Sequence, residues 1–329
     1  MIAPLSIPSP DYEWQAWEIN LFGLHLNINT YALCILVGII LAVVITSRRL
    51  TKRGAEPGIV LDIALWAVPL GIIGARFYHV VTHPDDYFAG QEWWTVFAIW
   101  EGGNAIYGAL IGGAIGVLIG CRFTGLRFLT FADALAPGLL VAQAVGRLGN
   151  WFNHELYGAP TDLPWGLEIE YDNVAWPQGL VEGTLFHPTF LYEMVWNLAG
   201  AALIVLLERR INLRWGKAFA VYLIWYGLGR SFFESIRVDP SEMFLGIRVN
   251  VWASFAAVVL GIVILLVQRR RHTGTEPSPY VPGREWKGPD AEVDSDEIES
   301  DSDSLDDGVE GENESLGETA ATSPSRSTS

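Results

Sequence analysis

The run LAPGLLVAQAV (135–145) contains no charged residue, and GRLGNWFNHELYG (146–158) continues it without a break. Arg147, Asn150, Asn153, His154 and Glu155 thus follow directly on a helix-length apolar stretch. Hydrocarbon tolerates such groups only where they reach a wet boundary or a polar partner. Residues about 131–151 therefore read as a membrane-crossing helix whose far end opens into a polar site. Asp133 and Pro137 near its start make it the least apolar of the candidate spans.

Working outward, six further apolar segments stand at about 30–47, 59–82, 97–120, 189–207, 217–236 and 250–268. Each approaches the ~20 residues that a helix needs to cross ~30 Å of hydrocarbon. Basic residues sort the connections. SRRLTKR (47–53) holds four, CRFTGLR (121–127) two, ERRINLRWGK (208–217) four and QRRRH (268–272) three, together 13 of 21. These are alternate loops. On the other side, residues 1–28, 83–96 and 152–188 hold none, and 237–249 hold two. By the positive-inside rule the expected fold is an all-α integral membrane protein of seven transmembrane helices, N-terminus outside and C-terminus cytosolic. The connection at about 152–188 is rich in Trp, Pro, Gly and acids and is expected to form a small external subdomain between spans four and five. The expected organisation is an external segment (1–29), a membrane domain (30–268) and a cytosolic part (269–329). EGGNAIYGALIGGAIG, at the start of span three, supplies small residues for close helix approach. No internal repeat of the kind common in transporters is visible.

Half of the 329 residues are apolar, yet the net charge is −16. Residues 273–329 contribute −13 of it, through 16 acidic and 3 basic side chains. The remainder is nearly neutral, so the overall acidity describes a tail, and a nucleic-acid partner is not expected. The run at 290–315 has too little apolar surface to offset its ordering entropy and is expected to be disordered. Cys34 and Cys121 lie in different apolar runs, which gives no expectation of a disulfide or of thiol chemistry from the chain itself. The first 20 residues lack a basic start and an apolar core, so no cleavable signal peptide is expected.

Ionisable residues inside spans are costly and usually functional. Arg76, Arg147 and Arg230 lie about 16, 16 and 13 residues into spans that run outward, which places all three in the outer half of the bilayer at 1.5 Å per residue. Each is close to glycine (GAR 74–76, GR 146–147, GLGR 227–230). Snorkelling accounts for one such arginine, but three at one depth point to a phosphate-bearing lipid headgroup, which guanidinium binds bidentately. Glu234 follows Arg230 by four residues, on the same helix face, as a partner or a base. Asp133 is ~21 Å along the helix from Arg147 and reads as a structural partner near the cytosolic end.

Other polar groups carry less. His79 and His83 share a helix face, but no third ligand has clear spacing, so no metal is expected. HPTFLYE (187–193) reads as a helix entry at Pro188, with Glu193 one turn inside. The Gly-rich runs lack the context of a nucleotide loop, and GxSxG is absent. Trp93, Trp94, Trp100, Trp165 and Trp176 read as interfacial belts. A carrier or flippase for anionic lipids would also use arginines, but would spread them along a path rather than gather them near one face.

GRLGNWFNHELYG resembles the signature of bacterial prolipoprotein diacylglyceryl transferases, approximately G-R-x-G-N-[aromatic]-x-N-x-E-x-x-G. The match covers Gly146, Arg147, Gly149, Asn150, Asn153, Glu155 and Gly158. TYAL (30–33), GARFYHV (74–80), EGG (101–103), HPTFLYE (187–193) and YGLGRSFFESIR (226–237) agree in order, so the resemblance spans roughly 20–270. It implies transfer of the diacylglyceryl group of phosphatidylglycerol to the lipobox cysteine of a preprolipoprotein, on the outer face of the bacterial cytoplasmic membrane, without a cofactor. One departure stands out: many members carry a histidine where this chain has Tyr107.

The resemblance implies that Arg147 and Arg230 are essential, that Asn150 and Glu155 are essential signature positions, and that Tyr31, Asp133, Gly158 and Glu234 are also relied on. Catalytic work is expected from Arg147, Arg230, Tyr107 and Glu234. Substrate contact is expected from Arg147, Asn150, Asn153, Glu155, Gly158, Tyr31 and Arg76, and a structural role from Asp133. His154, at a variable position of the signature, is expected at the surface.

Overall fold

The structure, a computed structural model, describes residues 6–21, 24–88, 93–99, 102–103, 105–239 and 241–288. Glu101 of the EGG motif and the acidic run 290–315 lie outside the described residues. The chain divides into two units, Met1–Trp286 and Lys287–Ser329, and every helix described below belongs to the first.

Among the described residues the long helices are α1 (Thr30–Thr51), α2 (Ile59–Thr82), α4 (Ile106–Thr124), α5 (Phe128–Phe152), α6 (Thr189–Arg210), α7 (Lys217–Ile236) and α8 (Val249–Arg271), with a single turn α3 (Asp85–Phe88) after α2. Six of them are long and apolar enough to cross a membrane. The exception is α7, which has the length but carries Lys217, Arg230 and Glu234 among its 20 residues. Helix α4 begins later than the apolar segment at about 97–120. It starts at Ile106, because Trp93–Phe97 forms a separate 3-10 turn and Gly102 and Gly103 take positive φ (89° and 65°), which no continuing helix accommodates.

Outside the long helices the described residues also form three short strand pairs. Alternating polar and apolar residues in AWEINL and LHLNIN form an antiparallel hairpin, β1 (Ala16–Leu21) with β2 (Leu24–Asn29), pairing Trp17 with Ile28 and Glu18 with Asn27. Two shorter pairs, β3 (Leu167–Glu168) with β4 (Leu185–Phe186) and β5 (Met243–Phe244) with β6 (Ile247–Arg248), lie in the connections before α6 and α8. The 153–188 connection gathers Tyr157, Leu167, Ile169 and Phe186 into a small apolar centre, which Ile7 and Trp176 join.

Small residues set the helix pairing. Gly108, Gly112, Gly116 and Gly120 form one stripe on α4 against α2. A Cβ on Gly112 would fall 2.1 Å from the Leu70 carbonyl oxygen, and one on Gly116 would fall 2.4 Å from that of Trp66. The backbones touch, as small-residue interfaces allow. Helices α6 and α7 meet through two stacked indoles: Trp196 donates to the Trp225 carbonyl at 3.1 Å, and Trp225 to the Trp196 carbonyl at 3.0 Å. Gly229 and Gly200 make room for these rings, since a Cβ on either would lie 2.2–2.3 Å from an indole nitrogen.

At the opposite end from β1–β2, the segment after α8 folds back. Tyr280 is buried and its hydroxyl accepts from the Glu56 amide at 2.9 Å. Arg127 N donates to Pro279 O, Val281 N to Gly125 O, and Thr130 to the buried Glu276 carboxylate at 2.5 Å.

Candidate active site

Tyr31, Tyr107 and Asn250 stand in the first turns of α1, α4 and α8, and Glu193 one turn inside α6. Arg147 and Arg230 stand near the ends of α5 and α7, with Glu234 in the last turn of α7. Alternate helices thus deliver these groups to one end of the bundle.

At the centre is a carboxylate whose sequence context shows only that it lies one turn inside a helix. Glu193, 5% exposed, places Oε2 2.6 Å from Arg147 Nη2 and 3.8 Å from Arg230 Nη1. The longer distance exceeds a hydrogen bond. Arg230 Nη1 is shielded from solvent and meets no hydrogen-bond acceptor among the described residues. Its other terminal nitrogen pairs with Glu234 Oε2 at 2.9 Å.

Glu234 is 1% exposed and is surrounded by cations. Beyond Arg230, Arg237 Nη1 lies at 3.5 Å and Arg248 Nη1 at 3.3 Å. Asn250 Nδ2 donates to Glu234 Oε1 at 3.1 Å, and Tyr107 donates its hydroxyl to Asn250 Oδ1 at 2.9 Å. A carboxylate only accepts, so the Asn250 amide nitrogen must face Glu234 and its oxygen must face Tyr107. Arg237 is itself clamped by Asp239 at 2.7 and 2.8 Å. Burial opposes the charge of Arg237, but its bonds to Asp239 and the nearby Glu234 outweigh that and raise its pKa.

The signature loop holds itself in place. Arg147 Nη1 donates to Asn150 Oδ1 (3.2 Å), Asn150 Nδ2 donates to Glu155 Oε1 (2.9 Å), and Asn153 Nδ2 reaches the same oxygen at 3.4 Å. The Glu155 amide donates to the Asn150 carbonyl at 3.1 Å. A polar chain therefore runs from Tyr107 through Asn250, Glu234, Arg230, Glu193, Arg147 and Asn150 to Glu155. Tyr31 packs beside it: a Cβ on Gly149 would fall 2.2 Å from the Tyr31 ring.

Three further residues singled out by the sequence are placed as follows. Arg76 is buried and commits its donors to carbonyls of the connection before α4, at Thr95, Val96, Gly102 and Gly103 (2.5–3.1 Å), with its guanidinium over the Tyr87 ring. These bonds tie Arg76 to that loop. Gly158 is a crossing point, where its amide donates to the His187 carbonyl (2.9 Å) and a Cβ would fall 2.8 Å from that of His187. His154 is not at the surface: it is 2% exposed, bonded to Glu170 at 2.8 Å, with the Tyr12 ring tilted against it at 4.8 Å between centroids.

Asp133 is fully buried at the other end of the bundle. It accepts from the Gly216 amide at 2.7 Å and the Phe219 amide at 2.9 Å. These are orphan donors at the start of α7, whose cap residue Gly216 has no side chain to serve them.

Residues 19–267 match the family of prolipoprotein diacylglyceryl transferases. The chain belongs to that family. It is 67% identical over 302 residues to a phosphatidylglycerol–prolipoprotein diacylglyceryl transferase of Leifsonia xyli, covering 89% of this chain and 90% of the relative. Proteins with the same name from Bifidobacterium adolescentis (82% of each chain covered) and Paenarthrobacter aurescens (80% and 84%) are each 49% identical to it.

Proposed function

We propose that this protein transfers the diacylglyceryl group of phosphatidylglycerol to the thiol of a lipobox cysteine, the first step of lipoprotein lipidation. The observation that carries the mechanism is the buried, acceptor-free Nη1 of Arg230, facing the carboxylate it shares with Arg147. A donor with no partner in a low-dielectric site suits an anion that arrives with the substrate. The lipid phosphate lodges against Arg230 and Arg147. The cysteine sulfur attacks the glyceryl carbon that bears the phosphate, forming a C–S bond. The C–O bond breaks and its electron pair leaves on the phosphate oxygen, where the guanidinium groups stabilise it most as charge grows. The thiol proton leaves with glycerol phosphate.

Tyr107 does not serve as the base in this reading. Its O–H is turned toward Asn250, so its oxygen lone pairs face away from that bond and accept from an incoming thiol or a glycerol hydroxyl. Glu234, ringed by guanidinium groups, acts as their fixed counter-charge. Asn150, Asn153 and Glu155 hold the signature loop under Arg147, and substrate contact falls to their free edges and to Tyr31.

The proposed membrane arrangement has seven spans, with α7 inside the bundle, shielded by α5, α6 and α8. The arginine site and the 152–188 subdomain lie outside, and the basic helix ends and residues 269–329 lie in the cytosol of a bacterial cell. Alternation of the site residues between helix starts and ends supports this, as does the gathering of Arg49, Arg53 and Arg127 at the far end. Labelled phosphatidylglycerol incubated with membranes and a lipobox peptide tests the function. Label must reach the peptide cysteine, and Arg230→Gln must abolish transfer in a protein that still folds. Label that only changes leaflet would refute the reading.

A further inference from the structure

A second group of cations lies at the end of the bundle away from the arginine site, in a cavity of about 210 Å³ between the end of α1 and the α6–α7 connection. Arg49, Lys52, Arg53, Arg214 and a single carboxylate, Glu208, supply its charged walls. Glu208 is spent within the wall. It bridges Arg49 (2.7 Å) and Arg53 (2.8 Å) and holds both guanidinium groups in place. The Arg53 side chain is only 7% exposed. Asp133, the other acid near Arg53, is occupied by the Gly216 and Phe219 amides. Lys52 is exposed and Arg214 half-buried, and no carboxylate of the described residues lies within ion-pair distance of either.

Positive-inside sorting explains why basic residues occur at this end, but not why four of them face one cavity. Solvated loop cations repel each other and spread, whereas these are drawn together by a scaffold that leaves a surplus of positive charge. Guanidinium and ammonium donors around a cavity several times the ~30 Å³ of a water molecule fit a phosphate-sized oxyanion. We propose that this cavity binds a phosphate group, that of an anionic lipid headgroup at the membrane surface or free phosphate. Basic pockets between helices at the cytosolic surface suit such headgroups. The site is separate from the transfer site. It shares α1 and α6 with it only at their opposite ends, since Tyr31 and Glu193 stand near the starts of these helices and Arg49 and Glu208 near their ends.

The test compares wild type with Lys52→Gln/Arg214→Gln, and with Arg214→Glu. Each protein is released from nanodiscs of phosphatidylglycerol or of phosphatidylcholine and its retained lipids are counted by native mass spectrometry. Thermal shift is titrated in parallel with inorganic phosphate. Both leaflets have the same composition, so the result does not depend on which face is cytosolic. Wild type is expected to retain one more phosphatidylglycerol than either variant, with no difference in phosphatidylcholine. A phosphate-induced rise in Tm that the variants lose, without a difference in retained lipid, assigns the cavity to free phosphate. Equal retention and equal shifts in all three proteins overturn the proposal. Transfer to a lipobox peptide, measured alongside, reads the outer site independently and is expected to stay within twofold of wild type.

Discussion

Arg147 on α5 and Arg230 on α7 share one carboxylate oxygen, Oε2 of Glu193 on α6, at 2.6 and 3.8 Å. Two guanidinium groups held by one acid are held unequally, and the looser one keeps a free donor. Glu193→Gln keeps the shape and removes the charge that gathers the pair. Transfer is expected to fall by about 10²-fold, the cost of misplacing reacting groups by about 1 Å. Glu193→Asp is expected to recover part of it. Normal transfer by Glu193→Gln in membranes would remove Glu193 from the site.

Tyr107, Asn250 and Glu234 form a directed chain across α4, α8 and α7. Tyr107→Phe removes the lone pairs offered to substrate. Asn250→Leu leaves the phenol in place but frees its orientation. Each is expected to lower kcat by about tenfold or more, and the double variant by no more than the worse single, since both disable one unit. Additive losses would show that the two residues act separately. Activity of Tyr107→Phe is also expected to keep its wild-type pH profile, because the phenol keeps its proton in this arrangement; a shifted profile would make it a base.

Hydrophobic length and the distribution of basic residues made the seven helices legible, because both are properties of a local stretch. Arg147, Arg230, Glu234 and the signature loop were legible for the same reason. Glu193 and Asn250 were not, because their partners lie on other helices and no spacing in the chain reports that meeting. Depth along a helix can be counted from sequence, but the direction a side chain faces around the axis cannot, and Arg76 turns to the loop before α4. The late start of α4 follows from two glycines at positive φ, and the burial of His154 follows from Glu170 and Tyr12 meeting it across the outer connection.

Asp133 caps α7 from a neighbouring helix. Asp133→Ala leaves the buried Gly216 amide and the partly buried Phe219 amide without this acceptor, at a cost of about 1–3 kcal/mol for the buried one. Tm in detergent is expected to fall by several degrees. Residual activity is expected to track the folded fraction, with KM for the lipobox peptide unchanged. A KM rise with unchanged Tm would move Asp133 from the frame to the site.

The α2–α4 contact gives a test of the frame nearest Tyr107. A methyl group on Gly112 meets the Leu70 carbonyl oxygen at 2.1 Å, a backbone atom that cannot turn aside. Gly112→Ala must therefore push α4 from α2, and overpacking of this kind costs about 1–3 kcal/mol. Gly146→Ala serves as control, since a Cβ there meets nothing within 4 Å even though it adjoins Arg147. The first variant is expected to lose Tm, with transfer reduced through displacement of Tyr107. The second is expected to keep both, unless substrate occupies the space beside Gly146, in which case KM alone rises. Equal tolerance of alanine at both positions would contradict the close approach of the two helices.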